Sequence, residues 1–189
     1  LSSERGSTLC RCCGSKNLKE ILNLGNHPLP AEYGKSPNDI LEAFPLKLSI
    51  CRDCALGQIG EYVLPERIFH QKYPYLSSAS STWVSHAHNY AIKMASELEL
   101  CKNSLVIEIA SNDGYLLSKF AEVGIPVLGI EPAENVASIA RDKGVLTISK
   151  FFGETLALEV LEKKGSPDLI VANNVFAHVP DMRDVARGL

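Results

Sequence analysis

The cysteines are the residues whose spacing most plainly suggests chemistry. Cys10-x2-Cys13 and Cys51-x2-Cys54 are two matched pairs. A Cys-x2-Cys turn sets two thiolates on one side of a tight loop, and two such turns supply the four tetrahedral ligands that zinc prefers. Cys12 competes for a place in the first pair. Cys10 is favoured because Cys10-x2-Cys13-Gly14 puts a glycine where the turn needs relief. In a reducing compartment such clusters bind metal more often than they form disulfides, and the plain alternative is four buried free thiols. Four thiolates leave no open position for water, so the zinc is expected to be structural, not catalytic.

A second constellation lies further along. Val106-Ile-Glu-Ile-Ala-Ser-Asn-Asp-Gly114 reads as a strand ending in a turn of small and polar residues that opens a helix. Such a turn lets the backbone approach a ligand, and the helix that follows offers free N–H groups. The next strand ends in Gly129-Ile-Glu-Pro132, and a carboxylate there can accept the two ribose hydroxyls of an adenosine. The bland reading of Glu131 is a solvated strand-end carboxylate. A dinucleotide turn carries three glycines that admit a pyrophosphate, whereas Ala110, Asn112 and Gly114 occupy the glycine-like positions here. That set disfavours NAD and suits S-adenosylmethionine, whose amino-acid tail carries its own charge. Glu108, Ala110, Asn112, Gly114, Glu131 and Pro132 are the cofactor-binding candidates.

The elements that must position these residues change character along the chain. Up to about Tyr75 there are turn signals, Gly25-Asn26-His27-Pro28 and Ser36-Pro37-Asn38-Asp39, and short apolar runs. Phe44 to Ile50 alternates like a strand and leads into Cys51. The serines from Ser77 can cap a helix in which Trp83, Ala87, Tyr90, Ala91, Met94 and Leu98 share one face. His86 and His88 are read as helix-face residues. From Ser104, strands at 105–109, 127–131, 145–149 and 168–173 alternate with helices at 114–123, 134–143 and 153–164, and a last helix follows Pro180-Asp181. That alternation predicts an α/β fold, a Rossmann-like parallel sheet preceded by a small zinc-binding domain with short strands. The expected division is a zinc domain over 1–75, a connecting helix over 76–103, and the N-terminal part of the cofactor domain over 104–189. The sheet looks unfinished, because doubly wound domains commonly have more strands.

Composition bounds the function. With 46% apolar and 22% charged residues the chain resembles an ordinary globular protein, which argues against disorder over its length. A net charge of −3 gives no basic footprint for nucleic acid, and no apolar run reaches the length of a membrane span. Leu1 to Arg5 has no signal-like apolar stretch, so a cytoplasmic location is expected.

Glu108-Ile-Ala-Ser-Asn-Asp-Gly114, Gly129-Ile-Glu-Pro-Ala133, Phe151-Phe-Gly153 and Ala172-Asn-Asn-Val-Phe-Ala-His-Val-Pro-Asp181 resemble the successive motifs of the sugar C-methyltransferases. The two cysteine pairs, Leu24-Gly-Asn-His-Pro-Leu29 and Tyr73-Pro-Tyr-Leu-Ser-Ser-Ala-Ser80 extend the resemblance over essentially the whole chain. It implies an S-adenosylmethionine-dependent enzyme with a zinc-binding N-terminal domain, acting on a nucleotide-linked keto-sugar. In that family a base removes the proton beside the ketone, and the enolate carbon takes the methyl group. Carried over, Tyr73 and His178 fall near the reacting centre, and Phe152 and Asn173 flank the adenosine or its methionine tail. The family's general-base histidine lies in a Glu-His motif beyond Leu189, so the chain alone is expected to be inactive. Two other readings stand beside this one: an NAD-dependent oxidoreductase with a zinc lobe, and an inert cofactor- or partner-binding module.

Overall fold

Phe44, Leu46, Leu48 and Ile50 do lie on a strand. In the computed structural model, which describes residues 9–30, 32–60 and 63–189, that strand is β2 (Ala43–Cys51). It pairs antiparallel with β1 (Leu18–Pro28) on one side and β3 (Gly57–Ile59) on the other, giving the order β1-β2-β3. The register sets Leu18 opposite Cys51 and Pro28 opposite Ala43. The Gly25–Pro28 stretch does not reverse the chain as its composition suggests. It is the bulged end of β1, with a register shift between Asn23 and Asn26. Gly25 has a φ of 81°, and its N–H donates to Asn23 Oδ1 at 2.9 Å, so the glycine is spent on a bulge. The Ser36–Asp39 signal is a turn, with Asp39 Oδ2 accepting from the Lys35 and Ser36 amides. A single helical turn, α1 (Pro65–Ile68), completes the elements of this unit, which reaches Ile68 and includes Pro180–Arg183.

The second unit comprises Phe69–Val179 and Asp184–Leu189. It begins with α2 (Ser81–Glu97), whose N-cap is Ser80, with Oγ accepting from the Trp83 amide at 3.2 Å. Ala87 and Ala91 are buried on its inner face, with Trp83, Tyr90 and Met94 packed against the same core. The α/β part runs β4 (Val106–Ile109), α3 (Leu117–Glu122), β5 (Val127–Ile130), α4 (Glu134–Asp142), β6 (Thr147–Ile148), α5 (Glu154–Lys164) and β7 (Leu169–Val171). The last helix, α6, is Met182–Gly188. The four strands are all parallel in the order β6-β5-β4-β7, so the chain reverses direction across the sheet between β4 and β7. One face packs Phe120, Leu116, Leu117 and Ala140 around Val106, and the other packs Leu156 and Val160 of α5 against Ile107, Leu128 and Ile130. Helix α3 begins three residues later than its pattern suggests, because Gly114 has a φ of 74° and cannot belong to a right-handed helix.

Candidate functional site

The two cysteine turns are copies of one another in their backbone. The Gly14 amide donates to Cys10 O and the Ala55 amide to Cys51 O, each at 2.9 Å. The Cys10 amide donates to Ser15 O and the Cys51 amide to Leu56 O. Both turns end in a left-handed residue, Gly14 at 76° and Ala55 at 64°. The four sulfurs of Cys10, Cys13, Cys51 and Cys54 all lie within 4.8 Å of one another, with Cys10–Cys54 at 3.5 Å and Cys13–Cys51 at 3.6 Å. Four thiolates around zinc at ~2.3 Å stand about 3.8 Å apart, so this donor set fits a tetrahedral zinc ion. Cys12 is exposed and outside the set. Burial opposes ionisation of Cys10, but the backbone N–H groups of Cys13 and Cys12 and the Cys54 thiol bring it down to about 6. The Leu56 amide favours a Cys54 thiolate, yet the neighbouring Cys10 and burial push Cys54 up to about 12. Zinc binds cysteine as thiolate, so loading the cluster releases whatever protons its thiols still hold.

Two polar side chains join the turns. Gln58, 3% exposed on β3, accepts from the Arg11 amide at 2.9 Å and donates to Leu9 O at 3.0 Å. Asp53 accepts from Ser15 Oγ and from Asn17 Nδ2, and these hydrogen bonds lower its pKa.

In the second unit the loops at the C-terminal ends of β4 and β5 meet. Ala110, Asn112 and Gly114 all have positive φ, at 54°, 50° and 74°, so the three glycine-like positions share a left-handed backbone although two are not glycine. Glu131 is 3% exposed, which removes the reading of a solvated carboxylate. Its Oε2 accepts from the Asn112 amide at 3.0 Å and its Oε1 from the Ala133 amide at 2.8 Å. Burial raises its pKa, and the two amides pull the other way. Gly129, one turn of the pleat earlier, must lack a side chain: a Cβ there would sit 2.5 Å from Ser111 Oγ and 2.8 Å from Thr147 Oγ1. Gly114 serves packing as well, since a Cβ would meet Ala140 and Val145 at 3.2 Å. Pro132 is half-buried, and its carbonyl accepts from Ser149 Oγ.

Glu108 lies on β4, 1% exposed, and its Oε2 has no hydrogen-bond partner among the described residues. Burial raises its pKa well above the carboxylate range, with the Tyr115 hydroxyl opposing and Glu131 adding to the shift. Burial and Glu108 push Tyr115 up to about 12, while Asn173 and Trp83 favour its ionised form. Glu108 and Asn173 are thus connected through Tyr115.

A segment of chain, Tyr73–Ser78, is fastened to these loops. Asn135 Nδ2 donates to Tyr73 O at 2.9 Å, Asn112 Nδ2 donates to Tyr75 O at 3.2 Å, and the Ser77 amide donates to Asn112 Oδ1 at 2.7 Å. Ser78 Oγ donates to Asp113 Oδ2, which also accepts from Lys143 Nζ at 2.9 Å. The Tyr73 hydroxyl is half-buried, and burial, then the Glu131 charge, raises its pKa. His178 is exposed on the turn after β7, and no hydrogen bond or ring contact joins it to Tyr73 or Glu131 among the described residues. Phe152 packs against the Ile107–Leu128 cluster and lines a cavity of about 270 Å³ with Lys150, Gly153, Leu156 and Asp184.

Comparison with known proteins matches residues 10–69 to a zinc binding domain of methyltransferases and residues 67–189 to a methyltransferase domain. The chain belongs to the methyltransferase family. It is 30% identical over 182 residues to the C-methyltransferase NovU of Streptomyces niveus, a match that covers 95% of this chain and 43% of that protein. The chain thus spans less than half the length of the curated relative it matches. No helix among the described residues is long and apolar enough to cross a membrane.

The cofactors of the family are S-adenosylmethionine and zinc, and the residues present fit both groups. Zinc has its four sulfurs. For the organic cofactor, the unpartnered Glu108 Oε2, Ser111 Oγ and Asp113 Oδ1 are buried polar atoms of the kind a bound ligand satisfies, and all three belong to β4 or the loop that follows it. Tyr115, Asn135, Lys143, Gln58 and Asp53 escape sequence reading. Apart from the Tyr115–Glu108 pair, their side-chain partners stand 30 to 65 residues away, and no local pattern announces them. Only Asp53, between two ligand cysteines, carries a positional signal.

Proposed function

We propose that this methyltransferase transfers a methyl group to carbon on a nucleotide-linked keto-sugar. The observation that carries the reading is Glu131, a buried carboxylate pinned by two backbone amides at the tip of β5 with the Tyr73 hydroxyl in its electrostatic field. Each Glu131 oxygen has a lone pair left after its amide bond, so the carboxylate can accept ribose hydroxyls without moving. Glu108 and Asn173 would face the amino-acid end and Phe152 the adenine, with Ala110, Asn112, Gly114 and Pro132 shaping the loops between them. S-adenosylmethionine, when bound, supplies an already activated methyl group.

What remains for the chain is to bind, orient and stabilise. Tyr73, like any phenol, is protonated at neutral pH, and burial and the Glu131 charge hold it further from ionisation. It can therefore donate a hydrogen bond to an oxygen that gains negative charge, which is the stabilisation an enolate requires. His178, exposed after β7, can hold or pass a proton at a ring nitrogen near the crevice where the sheet reverses. The similarity to NovU and the sugar C-methyltransferase motifs support carbon as the acceptor. Cys10, Cys13, Cys51 and Cys54 hold zinc in a structural role, since the set offers no open position.

Titration calorimetry with S-adenosylhomocysteine, with NAD in a parallel run, tests the reading. Saturable binding of the first alone is expected. Glu131→Ala should weaken that binding by about tenfold or more, from ~1.5–3 kcal/mol for hydrogen bonds to a charged group. NAD binding in its place, or an unchanged dissociation constant in the variant, would overturn the assignment.

A further inference from the structure

Both polar atoms of the Asn112 side chain are engaged by the Tyr73–Ser78 segment. The side chain accepts from the Ser77 amide through Oδ1 and donates to Tyr75 O through Nδ2, so it bonds the segment as a neighbouring strand would. Its own amide meanwhile holds Glu131 Oε2. The residue is 7% exposed, as is Ser77, so the Ser77 N–H has no water to fall back on and would be costly to leave unpaired. The left-handed backbone at 50° is one that Asn adopts more readily than most side chains. One residue therefore ties two things together: the carboxylate at the end of β5 and the segment that bears Tyr73.

The neighbours reinforce that tie. Asn135, on α4 directly after Glu131, secures Tyr73 O itself, and Asp113 with Lys143 secures Ser78. Asn112 and Asp113 lie on the β4 loop, Asn135 in the first turn of α4 and Lys143 just past its end, and every one lands on the six residues from Tyr73 to Ser78.

We propose that Asn112 is a positioning residue: it clips the Tyr73–Ser78 strap to the cofactor loop, so that filling the cofactor site and placing the Tyr73 hydroxyl are coupled. The proposal rests on the reading of Glu131 as the cofactor carboxylate. Coupling of this kind is reciprocal, so a ligand that steadies Glu131 and the Asn112 backbone also tightens the strap.

Amide hydrogen exchange at Ser77, with and without S-adenosylhomocysteine, tests it in the full chain. Asn112→Gly keeps the left-handed turn and the amide to Glu131 but deletes the clip. Asn112→Asp keeps the shape and the acceptor for Ser77. Without ligand, Ser77 is expected to exchange about tenfold faster in Asn112→Gly and close to the original rate in Asn112→Asp. In the unsubstituted protein the ligand should slow Ser77 further, and Asn112→Gly should lose that slowing when compared at ligand concentrations that saturate each protein. Ser77 exchange unchanged in Asn112→Gly, or equally fast in both variants, overturns the clip. Binding without slowing overturns the coupling. If the unsubstituted protein does not bind the ligand, the Glu131 reading fails, and the ligand-free comparison still decides the clip. Should Asn112→Gly not fold, Asn135→Ala serves instead. Its Tyr73 titration, identified by difference against Tyr73→Phe, should fall toward the ordinary tyrosine range, and an unmoved titration counts against placement by the strap.

Discussion

Glu108 is a carboxyl group 1% exposed in the middle of a parallel sheet, and its charge is what the fold can least accommodate. Burial raises its folded-state pKa far above the unfolded value, so the folded chain binds the proton more tightly. Its contribution is fully present below the unfolded carboxylate pKa and is lost as pH rises toward the raised folded value. Glu108→Gln removes this titration. The variant is expected to flatten the decline in melting temperature as pH rises above the ordinary carboxylate range, measured by circular dichroism, and a slope identical to the unsubstituted protein would count against it. At this scale the sequence was legible for residues whose type declares a role. Glu131 and the cysteine pairs stood out by position in a motif. Asn112 stood out as well, as a cofactor-binding residue; its attachment to Tyr75 and Ser77 runs across 37 and 35 residues and cannot be read locally.

The elements were legible where hydrophobic period and stop signals agreed. Helix α5 ends at Lys164 before Gly165, and β4 and β5 fall within a residue of their apolar runs. The pattern misled where a glycine had another task, at Gly25 in a bulge and at Gly114 ahead of α3. The cysteine turns show the same physics in a usable form. Gly14 and Ala55 occupy equivalent left-handed positions, but only one of them is glycine. A Cβ in that conformation costs roughly 1 kcal/mol or more, so Ala55→Gly is expected to raise the stability of the zinc-loaded unit by about that amount. Denaturant unfolding measures it, and a destabilised variant would show that Ala55 packs against something the turn geometry alone does not reveal.

Across the whole molecule the two units are stabilised by different means. Among the described residues of the first unit the buried apolar side chains are Leu29, Cys10 and Cys51, while the second unit holds two clusters built on Val106, Phe120, Leu128 and Leu156. A unit with so little core depends on its metal for folding free energy. Chelation is accordingly expected to abolish the cooperative melting of the β1-β2-β3 sheet, and metal removal with no change in the melt would contradict that dependence. The fold class was legible at this scale because alternation of strand and helix is a long-range pattern with a local signature. The contribution of zinc was legible for a similar reason, since four cysteines in so small an apolar complement leave few other ways to hold a sheet together.

Each cysteine turn also presents one buried and one exposed sulfur: Cys10 and Cys51 inside, Cys13 and Cys54 outside. That asymmetry gives the metal centre a front and a back toward small electrophiles. With zinc bound, an alkylating reagent should mark only Cys12 and Cys101 at speed, because the four ligand thiolates are engaged. As metal is withdrawn, access should outweigh the greater thiolate character of buried Cys10, so mass spectrometry should find the label arriving first on Cys13 and Cys54 and last on Cys10 and Cys51. The order of labelling would then be a clock for how the cluster comes apart, with the outward sulfurs letting go before the inward pair.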